Sequence, residues 1–427
     1  MKIGIIGLGY VGLPLCLQFA KSGAHVLGID LDNQKTEALN RGESYIKHIV
    51  SKDLKAQREA GRLEATTDYS RIGELDAVLI CVPTPLNKQR EPNLSYVLNT
   101  ARSIGPYLSK GVTVILESTT YPGTTEDELR PILEAGSKMK AGEGFYLAYS
   151  PEREDPGNAD SQVAKIPKVI GGYTQTCLEQ AIKVYQIAIE QLVPVSSCRA
   201  AEATKLLENI FRCVNIALVN ELKIIYQKMG VDIWEVIESA KTKPFGYMPF
   251  YPGPGLGGHC IPIDPFYLSW KARQYGMDAR FVELAGKVNT EMPDYVISRC
   301  QELLKAHGKK IGDSRVLILG LAYKPNVDDD RESPSYVLME KLEAMKAKVN
   351  YYDPNIPFIR PSREYSHFAG RQSVELNEIT IEDYDLAIIS TIHDGINYNI
   401  LAESGCLIID TRGVLVDEKL GANYMTA

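Results

Sequence analysis

The sequence predicts an α/β protein in which two doubly wound domains are joined by a helical middle domain with a long spine helix. Three observations predict this fold. Apolar runs of the kind buried on both faces of a parallel sheet alternate with amphipathic stretches from residue 3 onward. A helical periodicity then covers residues 199–230, and a second series of short apolar runs begins at residue 315.

The composition limits the class of protein. The 427 residues, of which 44% are hydrophobic and 24% charged, suit two or three globular domains. A net charge of -7 argues against nucleic acid as a partner, because phosphate backbones are bound by surplus Lys and Arg. The eight cysteines stand singly, without a C-x-x-C pair, which disfavours a zinc site and a disulfide framework.

The N-terminus begins with a strand pattern, K-I-G-I-I-G, which leaves no room for a signal peptide. No apolar run is long enough to span a bilayer. We therefore expect a cytoplasmic protein with no membrane partner.

The first apolar run, residues 3–6, ends in a glycine-rich turn that opens an amphipathic helix, and a second run, residues 25–29, ends in Asp30. The pattern G-x-G-x-x-G alone is more often a flexible loop, but strand, turn, helix, strand and terminal acid in this order predict a dinucleotide site. The glycines admit the pyrophosphate to the helix N-terminus, and Asp30 accepts a hydrogen bond from a ribose hydroxyl, which favours NAD over NADP. The expected cofactor contacts in this unit are Gly7, Gly9, Tyr10, Val11, Gly12, Asp30 and the nearby cation Lys35.

Polar side chains follow the strands predicted within residues 76–82, 112–116 and 146–149. In doubly wound sheets ligands bind beyond the carboxyl ends of the strands, so we expect these side chains to touch cofactor or substrate. Each hydroxyl could instead cap a helix or a turn, and each charge could simply be solvated. The candidates are Thr84, Ser118, Thr119 and Glu152.

The helical periodicity of residues 199–230 is long for a globular helix and ends at a glycine, so it predicts a spine between domains and a surface for subunit contact. Lys205, Asn209 and Arg212 lie at i, i+4 and i+7, on one face of this helix. A polar row is more often the solvated side of a helix. A cation, an amide and a guanidinium in one row also form an anion or oxyanion site, and this interpretation gains weight if the helix passes the loop at residues 250–267.

That loop reads F-Y-P-G-P-G-L-G-G-H-C-I-P-I-D-P-F-Y. Its four glycines and four prolines exclude a regular helix or a central strand and let the backbone close around a ligand. Cys260 and Asp264 place a thiol and a carboxylate within reach of one pocket. A cysteine is more often a small buried hydrophobe, but a cysteine that only packs needs no shaped loop.

The last part of the chain predicts a second, smaller α/β sheet without a G-x-G-x-x-G of its own. Strands are expected at residues 315–320, 348–352, 385–390 and 406–410. The loop after the first of these strands and Arg412 after the last offer cations at strand exits, where a second nucleotide could bind.

Taken in order, these segments resemble the UDP-sugar 6-dehydrogenases of the UDP-glucose/GDP-mannose dehydrogenase family, over essentially the whole chain. The resemblance rests on G-L-G-Y-V-G with Asp30, Y-S-P-E-R, K-L-L-E-N-I-F-R, P-G-P-G-L-G-G-H-C-I-P-I-D-P, Y-K-P-N-V-D-D-D-R-E-S-P and I-D-T-R-G. It implies a Rossmann-like NAD-binding domain at residues 1–198, a helical central and dimerisation domain at residues 199–305, and a UDP-sugar-binding domain at residues 306–427. It also implies a homodimer or a larger homo-oligomer.

Enzymes of this kind oxidise the C6 alcohol of the sugar to a carboxylate with two NAD+. The resemblance implies that Cys260 attacks the C6 aldehyde to form a thiohemiacetal, which loses a hydride to become a thioester that water hydrolyses. Lys205 and Asn209 would stabilise the oxyanions. Asp264 would assist proton transfer or the hydrolytic water, with Thr119 and Glu152 helping to position that water, and the base of the first step stays open.

The remaining contacts are implied in the same way. Arg331 would reach the NAD pyrophosphate. Surface cations are the alternative for the other basic residues, although an acidic protein that must hold a diphosphate favours the binding role. The residues implied to bind the UDP-sugar are Glu152, Arg153, Lys205, Asn209, Arg212, Gly257, Tyr323, Lys324 and Arg412.

Within the family, the glycine loop favours a UDP-N-acetylhexosamine. Ile263 stands where the UDP-glucose branch has a lysine, and residues 241–247 lack the His/Arg pair usual in the UDP-N-acetylmannosamine branch. The loop most resembles that of UDP-N-acetylglucosamine 6-dehydrogenases, which serve surface-polysaccharide synthesis. UDP-N-acetylmannosamine and UDP-glucose are the alternative substrates. From other classes of function, the alternatives are a two-electron hydroxy-acid dehydrogenase without covalent chemistry and a nucleotide-sugar sensor.

Overall fold

The structure is a computed structural model that describes residues 1–46, 49–87, 91–153, 163–258, 263–362, 364–416, 418 and 420–427. The chain divides into two compact units. The first unit consists of Met1–Glu208 and Phe266–Met277, and the second of Asn209–Pro265 and Asp278–Ala427. Each unit contains one sheet with its own buried core.

The first unit is built on an eight-stranded sheet. Its strands are β1 (Lys2–Ile6), β2 (His25–Ile29), β3 (Leu63–Thr66), β4 (Ala77–Ile80), β5 (Thr113–Leu116), β6 (Tyr146–Tyr149), β7 (Lys168–Gly172) and β8 (Leu192–Val195). Across the sheet they follow the order 3-2-1-4-5-6-7-8, so the direction of winding reverses between β1 and β4, where open sheets form a ligand crevice. β4 and β5 are buried along their whole length because apolar clusters cover both faces of the sheet.

Helices follow most of these strands, as the alternating sequence pattern predicts. They are α1 (Gly12–Lys21), α2 (Asn33–Arg41), α3 (Ser51–Glu59), α4 (Ser95–Ile104), α5 (Arg130–Ser137) and α6 (Gln175–Tyr185). A π-helical segment, Thr124–Leu129, leads into α5, and single 3-10 segments lie at Tyr69–Glu74 and Gly105–Tyr107.

One pairing in this sheet is antiparallel. β6 and β7 run in opposite directions, with Tyr149 opposite Gly171, whereas β7 and β8 are parallel to each other. The first residue of β7, Lys168, therefore lies at the same edge of the sheet as the carboxyl ends of β4, β5 and β6. Sequence patterns did not predict β7, because its K-V-I-G-G run combines a lysine with two glycines.

The helix α7 (Cys198–Lys228) confirms the spine helix expected at residues 199–230. The boundary between the two compact units falls inside it, after Glu208. Three further helices follow: α8 (Ile233–Lys241), α9 (Asp264–Gln274) and α10 (Arg280–Ala306). The side chain of Asp232 caps α8 by accepting a hydrogen bond from the backbone N–H of Trp234.

The second unit contains a five-stranded parallel sheet. Its strands are β9 (Arg315–Leu319), β10 (Lys348–Tyr352), β11 (Leu386–Ile389), β12 (Leu407–Asp410) and β13 (Tyr424–Thr426), in the order 10-9-11-12-13. Its helices are α11 (Pro334–Ala344), α12 (Glu378–Ile381) and α13 (Asn399–Ala402), with 3-10 segments at Ile311–Asp313, Ser366–Phe368 and Gly421–Asn423. The predicted fold class, two doubly wound sheets and a helical middle region, is confirmed.

In the described part of the chain, no helix is both long and apolar enough to cross a membrane.

Candidate active site

The glycine turn between β1 and α1 has the geometry that a pyrophosphate requires. Gly7 has a φ of +93°, and a Cβ there would lie 2.6 Å from the carbonyl oxygen of Cys81. A Cβ on Gly12 would lie 1.9 Å from the carbonyl oxygen of Gly7, so α1 packs directly against the turn. A Cβ on Gly9, in contrast, meets no atom of the described residues within 4 Å, which leaves room beside the start of α1. The turn therefore fits a dinucleotide phosphate.

Asp30 links the end of β2 to this turn. Its Oδ2 accepts a hydrogen bond from the backbone N–H of Leu8 at 2.8 Å, and its Oδ1 accepts one from Asp32 at 2.9 Å. Lys35 Nζ lies 3.5 Å from Asp30 Oδ2. The contact of Asp30 and Lys35 with the cofactor stays a prediction, as does that of Val11, which precedes α1, and Tyr10, which packs against the core.

Side-chain hydroxyl groups link the loop after β4 to the loop after β5. Thr84 Oγ1 donates to the carbonyl oxygen of Thr119 at 2.7 Å, and Ser118 Oγ donates to that of Val82 at 2.6 Å. Tyr267, in α9, donates its hydroxyl to the carbonyl oxygen of Thr84. Thr84 and Ser118 thus hold the loops together, and Thr119 is the one of the three that is partly exposed.

A buried ionic cluster lies at the carboxyl edge of the first sheet. Lys168 Nζ is 2.6 Å from Glu117 Oε2 and 3.9 Å from Glu152 Oε2, and the hydroxyl of Tyr185 donates to Glu117 Oε1. Burial raises the pKa of Glu117. Burial alone would lower the pKa of Lys168, but the charges of Glu117 and Glu152 outweigh it and raise that pKa.

Sequence reasoning identified Glu152 in this cluster and missed the other members. A lysine at the start of an otherwise apolar strand, and Glu117 directly after an apolar strand, were the available signals. Arg153, next to Glu152, donates to the carbonyl oxygen of Pro167 at 2.6 Å and pairs with Glu208 at 2.7 Å. Its predicted contact with the sugar nucleotide stays a prediction.

A buried carboxylate fixes the start of α7. Glu202 accepts hydrogen bonds from the backbone N–H groups of Gly123 and Thr125, at 2.6 and 2.8 Å, and from the Thr125 hydroxyl at 2.7 Å. Burial raises the pKa of Glu202 to about 7. One turn further along the helix lies Lys205, which is also buried. These hydrogen bonds fix the position of α7, which carries Lys205, relative to the segment that follows β5.

Asn209, one turn beyond Lys205, contacts the first residue of α9. Its Nδ2 donates to Asp264 Oδ2 at 2.5 Å, and both side chains are buried. Arg212, on the same helix, is exposed. Cys260 lies outside the described residues, so its predicted role as the nucleophile stays a prediction.

The described part of the glycine loop packs closely within the second unit. Gly253 donates its N–H to Asn220 Oδ1 at 3.0 Å, and a Cβ on Gly253 would lie 2.4 Å from Arg412 Nη1. A Cβ on Gly257 would lie 2.8 Å from Cβ of Tyr323, and one on Gly258 would lie 2.7 Å from the Tyr323 ring. Only glycine permits these approaches, which explains the loop composition.

Three basic residues of this unit, Arg412, Lys324 and Arg331, have defined neighbours within it, while the predicted sugar-nucleotide contacts of Arg412 and Lys324 stay predictions. Arg412 Nε donates to the carbonyl oxygen of Ser390 at 2.6 Å, and burial lowers the pKa of Arg412 to about 10. Lys324 Nζ lies 5.9 Å from the centre of the Tyr323 ring. Arg331 forms a two-point contact with Asp329, at 2.8 and 2.6 Å, while its carbonyl oxygen accepts the N–H of Gly258. The predicted NAD contact of Arg331 stays a prediction.

Comparison with known families assigns most of the chain. Residues 1–189 match the NAD binding domain of the UDP-glucose/GDP-mannose dehydrogenase family, residues 199–291 its central domain, and residues 317–417 its UDP binding domain.

Similar proteins agree with this assignment. A UDP-N-acetyl-D-glucosamine 6-dehydrogenase of Salmonella typhi is 35% identical over 394 residues, which cover 92% of this chain and 90% of the relative. A UDP-N-acetyl-D-mannosamine dehydrogenase of Escherichia coli K12 is 40% identical over 354 residues, which cover 80% of this chain and 82% of the relative.

Solved structures show the same architecture. A UDP-D-ManNAc dehydrogenase from Pyrococcus horikoshii matches with a TM-score of 0.89 and 32% identity, over 100% of this chain and 99% of that one. A UDP-glucose dehydrogenase from Pyrobaculum islandicum matches with a TM-score of 0.83 and 26% identity, over 100% and 96% of the two chains. Three matching domains in order, with relatives that span the chain, lead to one conclusion: the chain belongs to the UDP-glucose/GDP-mannose dehydrogenase family, as an NAD-dependent oxidoreductase with a UDP-binding domain.

Proposed function

We propose that this protein oxidises the C6 hydroxyl of a UDP-N-acetylhexosamine, in the first instance UDP-N-acetylglucosamine, to the uronic acid by a four-electron reaction. The observation that carries the proposal is the buried hydrogen bond between Asn209 and Asp264. It ties the helix that bears Lys205 to a carboxylate four residues beyond Cys260. A cation, an amide, a carboxylate and a thiol are the groups that covalent aldehyde oxidation needs.

The cofactor would be held by the glycine turn. Gly9 leaves the start of α1 accessible, and Asp30 fixes the turn through the N–H of Leu8. When bound, NAD+ accepts one hydride in each of the two oxidations. Thr84, Ser118 and Thr119 lie on the two loops at the carboxyl ends of β4 and β5, on the edge of the sheet where the turn also lies.

The covalent stage assigns one task to each residue. The Cys260 thiolate adds to the aldehyde carbon, so that a C–S bond forms and the carbonyl π pair moves to oxygen. Lys205 and Asn209 donate to that oxygen and stabilise its charge. After the second oxidation, water adds to the thioester carbon and the C–S bond breaks, which returns the thiol and yields the carboxylate. Asp264, which accepts a hydrogen bond from Asn209, takes the proton of this water.

The choice of sugar rests on the loop and on the relatives. Ile263 in place of a lysine argues against UDP-glucose. Relatives named for UDP-N-acetyl-D-glucosamine and for UDP-N-acetyl-D-mannosamine are both similar over most of the chain, and both substrates carry an N-acetyl group. UDP-N-acetylmannosamine is the second candidate, because the 40% identical relative is named for it.

We also propose a homodimer that uses α7, within a division into NAD-binding (1–198), central (199–305) and UDP-sugar-binding (306–427) domains. Phe211, Leu218 and Ile225 follow each other at seven-residue spacing and are 47%, 50% and 45% exposed. Such a stripe of exposed apolar side chains on one helix face is typical of a helix contact. Sedimentation of Leu218→Glu should then give monomers where the wild type gives dimers, and unchanged sedimentation would contradict this assembly.

The test of the function is a substrate panel with stoichiometry. Purified protein is incubated with NAD+ and with UDP-glucose, UDP-GlcNAc, UDP-GalNAc or UDP-ManNAc, and the NADH formed per sugar consumed is measured. We expect UDP-GlcNAc to be preferred, with two NADH formed for each uronic acid. One NADH per substrate would support a two-electron dehydrogenase, and binding without NADH would support a sensor.

A further inference from the structure

Lys168 reaches the functional edge of the first sheet because β7 runs against β6. Glu117 follows β5, Glu152 follows β6, and Lys168 begins β7, so the strand reversal brings a cation to two carboxylates. In a fully parallel sheet the amino end of a strand would lie at the opposite edge. The antiparallel direction of β7 therefore places an ammonium group beside two carboxylates, at the edge of the sheet where the glycine turn lies.

The two carboxylates that Lys168 contacts differ in exposure. The side chain of Glu117 is 0% exposed, that of Lys168 is 8% exposed and that of Glu152 is 16% exposed. Glu117 has Lys168 at one oxygen and the Tyr185 hydroxyl at the other. Glu152, at 3.9 Å from Lys168, is the most exposed of the three side chains.

Five titratable groups face one another in this cluster: Cys81, Tyr185, Glu117, Glu152 and Lys168. Cys81 at the end of β4 and Tyr185 in α6 face it, and burial raises the pKa of both, so both stay neutral near pH 7. The charged members are Glu117, Glu152 and Lys168. A purely structural ion pair needs one carboxylate, whereas this ammonium lies against two, the outer of which belongs to the candidate active site.

We propose that Lys168 is a positioning residue: its ammonium holds the carboxylate of Glu152 in place for the reaction, while Glu117 anchors Lys168. This inference rests on the proposed function, in which Glu152 positions the hydrolytic water. Lys168 itself touches no reacting atom. It supplies the counter-charge without which two neighbouring carboxylates would share a proton.

The test compares Lys168→Met, Lys168→Arg and Glu117→Gln in kcat, KM and pH profile. Lys168→Met should lower kcat by about 100-fold, as expected for a misplaced catalytic group, with NAD+ affinity unchanged. The acid limb of its pH profile should move to higher pH, because the two carboxylates lose their cation. Lys168→Arg keeps the charge and should restore most of kcat.

Glu117→Gln should move the acid limb in the opposite direction, to lower pH, because Lys168 then faces Glu152 alone. Opposite shifts from two neighbouring substitutions are not expected from loss of packing. The proposal is overturned if both variants shift the profile alike, or if Lys168→Met keeps wild-type kcat and profile. If Lys168→Met does not fold, the Glu117→Gln shift and the Lys168→Arg activity decide.

A second readout does not depend on turnover. The infrared band of protonated carboxyl groups should be stronger at neutral pH in Lys168→Met than in the wild type, and an equal band would contradict the proposal. Failure of the proposed function has a different signature, since the wild type itself would then give one NADH or none per sugar. The infrared comparison still decides the role of Lys168 in that case.

Discussion

The amide of Asn209 donates a hydrogen bond to the carboxylate of Asp264. Through this bond the long helix α7 holds the residue at the start of α9, four positions beyond Cys260 in the sequence. Both side chains are buried, at 3% exposure each. The bond fixes Asp264 as an acceptor, since the N–H of an amide can only donate. A carboxylate held in this way can serve as a base or as a water-orienting group.

We expect Asp264→Asn to lower kcat by about 10²- to 10⁴-fold, the usual contribution of a positioned acid–base group, while NAD+ affinity is unchanged. An amide at 264 can still pair with Asn209 but cannot take a proton from water. Thioester should accumulate on the enzyme, which mass spectrometry of acid-quenched protein measures. The exposed Asp313→Asn is the control, and wild-type turnover by Asp264→Asn would refute the assignment.

Cys260→Ala should bind NAD+ normally and form no uronic acid, because no thiol is left to trap the aldehyde. Product analysis after long incubation is the measurement. Cys406→Ala, which removes a buried thiol near the second sheet, serves as the matched control and should keep activity. Two NADH per sugar from Cys260→Ala would exclude the covalent route.

Gly9→Ala should weaken NAD+ binding about tenfold, or about 1.4 kcal/mol, because the added methyl group occupies the space left for the pyrophosphate. Protein atoms do not oppose it, since the described residues place nothing within 4 Å of that Cβ. Thermal stability should therefore be nearly unchanged. Titration calorimetry against Gly73→Ala, where the nearest atom is 3.5 Å from the Cβ, measures the effect. Equal affinities would remove the turn from the cofactor site.

Gly253→Ala should raise the KM for the UDP-sugar about tenfold, again about 1.4 kcal/mol, and leave NAD+ binding intact. The methyl group would lie 2.4 Å from Arg412 Nη1 and would displace a guanidinium that Ser390 holds. Gly405→Ala is the control in the same unit, because its Cβ meets no described atom within 4 Å. An unchanged KM would mean that Arg412 does not bind the substrate.

Lys223→Met should stabilise the protein, most strongly below about pH 7. Lys223 is 2% exposed, its Nζ has no hydrogen-bond partner among the described residues, and burial lowers its pKa to about 7. Above about pH 7 the folded protein releases a proton that the unfolded chain retains up to about pH 10.4, so the cost of burying the charge shrinks as the pH rises.

The expected gain for Lys223→Met is about 1–4 kcal/mol in the free energy of unfolding at about pH 6, and less at about pH 9. Urea denaturation at the two pH values measures it. Lys228→Met, at an exposed position on the same helix, is the control. A destabilised Lys223→Met, or a gain that grows with pH, would contradict this account.

Local sequence patterns predicted nine of the thirteen strands in the described residues and the long helix α7, with ends within a few residues. The strands of residues 25–29, 146–149 and 348–352 match the observed ones, because apolar runs bounded by turn residues are local signals. The strands β3, β7, β8 and β13 were not predicted, and neither was the direction of β7. Direction depends on the crossover that precedes a strand, and Lys168 meets Glu117 across 51 residues of chain.

The sequence indicated which residue types form the candidate site, but it did not indicate which groups their side chains contact. The predicted ligand contacts of Thr84 and Ser118 stay predictions. Their hydroxyls donate to the carbonyl groups of Thr119 and Val82, and these bonds depend on how β4 and β5 pair. Glu117 and Tyr185 were not selected as candidates, because the contacts of Glu117 with Lys168 and with the Tyr185 hydroxyl depend on tertiary packing. The composition of the glycine loop predicted a backbone that can close around a ligand. It did not predict the close approaches of Gly253 to Arg412 and of Gly258 to Tyr323, because these partners lie far along the chain.

The antiparallel seam between β6 and β7 also bears on how the chain reaches its native pairing. Side chains alternate between the two faces of a strand, so a slip of one residue along this seam would turn Lys168 away from Glu117 and bring an apolar neighbour against it. The buried carboxylate of Glu117 would then lack its counter-ion. The ammonium of Lys168 thus favours the native register of β6 and β7, because the slipped pairing would leave Glu117 without its cation.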